Sequence, residues 1–135
     1  MPFTPRRPRS KRLPSKTSPE HQHQTAFFRK LAMLDHPARD HAFAIPNGAL
    51  STKAARLFFT AEGVKAGVPD VFLAYPHNGW GGLWLEFKWG DNTMSPKQVE
   101  WFRRLEAVGY QCREVRSWQE AINTVLVYLG ILGEG

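Results

Sequence analysis

The chain has 135 residues, 42% hydrophobic and 13% aromatic, which suits one domain with a modest core. No apolar run approaches the ~20 residues that span a bilayer, and the single cysteine, Cys112, excludes an internal disulfide framework. The net charge of +6 sits at one end: residues 1–18 carry six Lys/Arg and no acid, while the other 117 residues hold twelve basic and twelve acidic groups.

The basic stretch also contains Pro2, Pro5, Pro8 and Pro14, so residues 1–18 read as a disordered arm ahead of one folded domain, residues 19–135. Such an arm neutralises phosphates and suits nucleic acid. It would equally serve as a solubilising extension, and Pro8 to Arg12 has the make-up of a nuclear-localisation patch. No apolar segment follows it, so it is not read as a secretory signal. The lone cysteine points to a reducing, cytoplasmic setting, and no membrane partner is expected.

In chain order, the first predicted helix spans Pro19 to Leu34, capped by Ser18, with Phe27, Phe28, Leu31 and Leu34 on its apolar face. Phe43 to Ile45 is extended and runs into a turn at Pro46-Asn47-Gly48. A second helix, Ser51 to Glu62, is capped by Ser51, offers Ala54, Ala55, Leu57 and Phe58 for packing, and ends at Gly63. Val71 to Ala74 and Leu83 to Trp89 are strands joined by a hairpin-like loop, Pro76 to Gly82. Ser95-Pro96-Lys97-Gln98 opens a third helix as a capping box, with Val99, Phe102, Leu105 and Val108 as its buried stripe. Tyr110 to Val115 is a strand, and Ser117 to Glu120 a second capping box before a last helix holding Ala121, Ile122, Val125, Leu126 and Leu129. The order implies an α/β fold, a small mixed β-sheet flanked by helices.

One constellation stands out. Asp70 begins one strand, and Glu86 and Lys88 lie on the next, with side chains pointing the same way because faces alternate. The opposite face carries Leu83, Leu85, Phe87 and Trp89. Two carboxylates beside a lysine suit a Mg²⁺ site that activates water next to a phosphate. In the plainer reading, Asp70 is a turn residue after Pro69 and Glu86 and Lys88 are the solvated face of an edge strand. Against that, ionised groups seldom interrupt an apolar strand unless they are paired or bind metal.

With these residues in place, the chain resembles the VRR-NUC domain of the PD-(D/E)xK nuclease superfamily. The resemblance rests on Gly63 to Asp70, Gly82 to Lys88, and Ser95 to Gln98 with Trp101, Leu105, Gly109 and Tyr110. It also takes in Glu20 to Gln24 and Ile45 to Gly48, and so runs over most of residues 19–129. It implies a restriction-endonuclease-like core and a Mg²⁺- or Mn²⁺-dependent DNA endonuclease acting on branched DNA, such as Holliday junctions or flaps. Asp70 and Glu86 match the family's metal-binding carboxylates and Lys88 its catalytic lysine. The first-helix acid Glu20 matches one that completes the family's site, and Gln98 matches a glutamine on the following helix; beside these, the oxygen ligands Mg²⁺ prefers make the Phe87 backbone carbonyl a further expected ligand. Short members occur in phages and bacteria, which would place a phage-encoded chain in the bacterial host cell.

Two of these residues have ordinary alternatives. Glu20 lies in the first turn of its helix, where the dipole favours an acid, and Thr17 to Glu20 has capping-box spacing. Gln98 completes the Ser95 box, so capping and contact with the site compete for one amide. The histidines lack zinc spacing, although His77 at the hairpin tip is within a substrate's possible reach. Of Trp80, Trp84 and Trp89, one exposed ring would be able to stack on a splayed base. Leu126, Tyr128, Leu129, Ile131 and Leu132 either belong to the core or offer a surface for a homodimer, the arrangement that symmetric junction cutting favours. The competing classes are a non-catalytic DNA-binding module on the same fold and a protein-interaction domain with a basic arm.

Overall fold

The protein is described here by a computed structural model, which covers residues 18–46 and 51–133. The basic arm, Thr17 and the Asn47-Gly48 turn lie outside the described residues. Helix α1 (Pro19–Leu31) begins at Ser18, whose hydroxyl accepts the His21 N–H at 3.2 Å. It ends three residues before the expected Leu34. Pro37 disfavours helical backbone at His36, and the chain tightens through i−3 bonds at Met33 and Leu34 into a 3₁₀ turn, Pro37–His41. Strand β1 (Ala42–Ala44) follows.

Helix α2 (Lys53–Ala61) is capped by Thr52, not Ser51: the Thr52 hydroxyl accepts the Ala55 N–H at 3.0 Å. It buries none of its residues, and Leu57 and Phe58 are 69% and 63% exposed, so the packing role expected of them is not found. Strands β2 (Val71–Leu73) and β3 (Leu83–Phe87) form an antiparallel pair, as expected. Helix α3 (Pro96–Ala107) has both bonds of its capping box. Its expected stripe is only half-buried, and Val108, the residue that caps the helix, is exposed. Strand β4 (Gln111–Val115) pairs parallel to β3, and α4 (Trp118–Tyr128) closes the fold. Ser117 caps α4 through the Glu120 N–H, but the Glu120 carboxylate accepts from Arg116 N, one residue outside the cap, so the second box is not reciprocal.

The four strands run in the order β1-β2-β3-β4, antiparallel except for β3/β4, which confirms the mixed sheet. Leu83, Leu85 and Phe87 project from β3 into a core shared with Phe27 and Leu31 of α1 and Val125 of α4. Tyr128 and Leu129 belong to that core, and the Tyr128 hydroxyl donates to Tyr75 O at 2.7 Å. Two residues left open between core and interface are thereby taken up inside one copy. Among the described residues no helix is long and apolar enough to cross a membrane.

Candidate metal and phosphate site

The pairing of Val71 with Leu85, extended by one residue, sets Asp70 opposite Glu86. Asp70 Oδ2 accepts the Phe87 N–H at 2.9 Å, which ties the carboxylate to the end of β3. On the face opposite the core, Lys88 Nζ lies 3.7 Å from Glu86 Oε1. Gln98 Nε2 donates to the same oxygen at 2.8 Å, while Gln98 Oε1 accepts the Ser95 N–H at 2.8 Å. Capping and site contact were expected to compete for this side chain. They do not, because the amide has a separate end for each.

These residues line a pocket of about 290 Å³ together with Glu20, Ala66, Gly67 and Val68. Glu86 is only 2% exposed, and burial with the nearby Asp70 charge pushes its carboxyl up from an ordinary 4.5 to about 8. Lys88 and a backbone hydrogen bond pull the other way, and Glu20 adds the weakest upward push. Glu86 Oε2 is buried and has no hydrogen-bond partner among the described residues. An orphaned carboxylate oxygen is costly, and such an atom needs a partner. Hard carboxylate oxygens are the donors that Mg²⁺ and Mn²⁺ accept, so Asp70 and Glu86 fit such an ion.

Glu20 reaches the rim of this pocket from the first turn of α1. The helix is capped by Ser18 through His21, so the hydroxyl cap lies beside Glu20 and not on it. Among the described residues no three His, Cys, Asp or Glu side chains form a metal-holding group; Asp70 and Glu86 meet through the strand register. Phe87 holds Asp70 by its N–H and sends its ring into the core. His77 is not near the site. It follows the far end of β2, with its ring against Tyr128 and Gly130. Burial raises the Cys112 thiol to about 12, which leaves it inert as a nucleophile.

The loop before Asp70 has a support that sequence reasoning missed. Trp101 Nε1 donates to Ala66 O at 3.1 Å, and Gly67, at φ +87°, lies against the first turn of α3. A Cβ at Gly67 would come within 2.9 Å of Lys97 C and Cβ. The paired glycines Gly63 and Gly67 were the available signal. Gly67→Ala is expected to lower stability by about 1–3 kcal/mol, read by denaturant unfolding. Wild-type stability in that variant would mean the loop is not pinned there.

A second hollow, about 360 Å³, lies between β4 and α4. Its charged groups are already engaged, Arg113 with Cys112 O and Glu120 with Arg116 N.

A small four-stranded mixed sheet flanked by helices, with Asp70 and Glu86 meeting at one end of the β2–β3 pair, defines the class as a mixed α/β domain. Among solved structures, a "VRR_NUC domain protein" matches with a TM-score of 0.72 at 24% identity, over 86% of this chain and 92% of that one. This chain therefore has the VRR-NUC domain fold, as the sequence resemblance implied. No family model matches the chain, and no curated protein matches it.

Proposed function

We propose that this protein is a Mg²⁺- or Mn²⁺-dependent DNA endonuclease that hydrolyses phosphodiester bonds, with branched DNA as its substrate. The observation that carries this reading is Glu86: a buried carboxylate with an orphaned oxygen, beside Asp70 and Lys88, facing a pocket. The likeness to a VRR_NUC domain protein supports it. When bound, the cation offsets charge on the scissile phosphate and acidifies a water. Asp70 and Glu86 would hold it, with the Phe87 carbonyl as a further hard-oxygen donor and Glu20 as the acid the resemblance adds. Gln98 fixes the Glu86 carboxylate, and Lys88 keeps a compact positive charge where negative charge develops. A DNA-binding module without catalysis leaves the burial of Glu86 unexplained. Cleavage of labelled four-way junction, flap, single-stranded and linear duplex DNA with Mg²⁺, Mn²⁺ or EDTA tests the reading. Metal-dependent cutting with a preference for branched substrates is expected, and binding without cutting would hand the protein to the non-catalytic reading.

Two copies pair in this reading, through α2. Its Ala54, Leu57, Phe58 and Ala61 form a stripe at i, i+3, i+4, i+7, every member exposed. Antiparallel pairing about the Leu57–Phe58 midpoint sets Ala54 against Ala61, Leu57 against Phe58 and Lys53 against Glu62. Lys53 at the N-terminal end and Glu62 at the C-cap are both unfavourable for a lone helix dipole and favourable for such a pair. Lys53→Glu is expected to weaken self-association by about tenfold and Lys53→Glu with Glu62→Lys to restore it, by sedimentation equilibrium. A wild-type monomer throughout the concentration range would remove the pairing.

A further inference from the structure

Each of the five tryptophans falls within the described residues, and Trp89 alone is exposed, at 48%. Trp84 stacks on Phe72, Trp101 bonds Ala66 O, Trp118 lies under Lys30, and Trp80 packs on the core. Sequence reasoning put Trp89 in the apolar row of β3. The strand stops at Phe87, so Trp89 leaves that row and follows Lys88 directly.

The exposed ring is held firmly. His23 of α1 stacks on it with ring centroids 5.6 Å apart and planes 25° from parallel. His23 is itself fixed, because its Nδ1 accepts the Trp118 N–H at 3.1 Å. The loop carrying Trp89 is clamped by Arg116, whose guanidinium donates to Gly90 O at 2.6 Å and to Asn92 O at 2.9 Å. Asn92 N closes a turn onto Trp89 O at 3.1 Å. Trp89 is joined to the pocket by two elements: it directly follows Lys88, which lines the pocket, and its stacking partner His23 lies about one helical turn along α1 from Glu20, which also lines it.

We propose that Trp89, backed by His23, is a stacking platform for an unpaired nucleobase of DNA bound at the Asp70–Glu86–Lys88 pocket. The proposal rests on the nuclease reading above. Bases inside a duplex are stacked on each other, so a single aromatic face adds affinity only where a base is unpaired, as at a flap or strand end. Such a contact is tolerant of base identity.

The test uses fluorescence anisotropy in EDTA, which allows binding without cutting. The probes are a blunt duplex and the same duplex with about five unpaired nucleotides, against wild type, Trp89→Ala, Trp89→Leu and Trp89→Phe. Trp89→Ala and Trp89→Leu are expected to lose about 5- to 50-fold on the overhang and less than about twofold on the blunt duplex. Trp89→Leu keeps an apolar side chain at the site without a π-face, and Trp89→Phe should recover most of the binding. A 2-aminopurine in the overhang should be quenched by wild type and not by Trp89→Leu. Equal losses on both probes, or none on the overhang, overturn the platform while leaving the nuclease reading standing if wild type still cuts DNA. A wild type that neither binds nor cuts any substrate overturns the nuclease reading, and the platform with it.

Discussion

Lys88→Ala should reduce DNA cleavage by about 10²–10⁴-fold while leaving the fold intact. Lys88 Nζ is held 3.7 Å from Glu86 Oε1, and its side chain is only 13% exposed, so its charge acts where water screens little. Two effects add. The positive charge near the reacting phosphate is lost, and Glu86 loses the cation that holds its carboxyl down, so its proton is bound more tightly still. Lys88→Arg separates them. A guanidinium restores charge beside Glu86, but it is planar and bulkier than an ammonium, and activity should stay low. Circular dichroism melts would show that both variants fold. Cutting by Lys88→Ala within about threefold of wild type would remove this residue from the chemistry. For the acid, Asp70→Asn is the informative change, because Asp70 also accepts the Phe87 N–H and alanine would leave that donor bare.

Glu86→Gln should make the metal-free protein more stable at pH 8 by about 1–3 kcal/mol, even as it abolishes activity. In the unfolded chain this carboxyl ionises near 4.5, and in the fold it holds its proton up to about 8. Between those values the folded state binds more protons than the unfolded state, so stability contributed by this group falls as pH rises. The loss begins above about pH 4.5 and is complete above about pH 8. The neutral amide removes the dependence and retains an acceptor for Gln98. Melting temperature measured from pH 5 to 8.5 in EDTA should therefore decline more steeply for wild type than for the variant. Added Mg²⁺ should raise the wild-type value at pH 8 and leave Glu86→Gln unmoved. Parallel pH curves for the two proteins would mean that Glu86 is not buried as described.

The strand alternation in Leu83 to Lys88 was enough to separate the core face from the acid face, because a period of two leaves no choice once Leu83, Leu85 and Phe87 go inside. The Asp70–Glu86 meeting followed from a hairpin of the right length. What could not be read was how far each apolar stripe finds a partner. Leu57 and Phe58 have the spacing of a packed helix face, yet α2 packs little against the sheet, and periodicity carries no information about what lies opposite. For the last helix the sequence left interface and core both open: Tyr128 and Leu129 are core, whereas Ile131 and Leu132 beyond it are exposed. The support of the loop by Trp101 and Gly67 joins residues thirty or more positions apart, a distance that no local pattern encodes.

The two-ended use of Gln98 makes the cap and the site depend on the same side chain through different atoms. A helix dipole rewards an acid at this position, and a capping box accepts glutamate as readily as glutamine. Anyone optimising α3 for thermostability alone would therefore choose Gln98→Glu. That exchange keeps an oxygen for Ser95 but turns the donor facing Glu86 into a carboxylate oxygen, in a place already lined by Glu20, Asp70 and Glu86. Capping rules applied to α3 alone would thus place a negative charge against a buried acid, and the gain at the helix end would be offset by the hydrogen bond lost at Glu86.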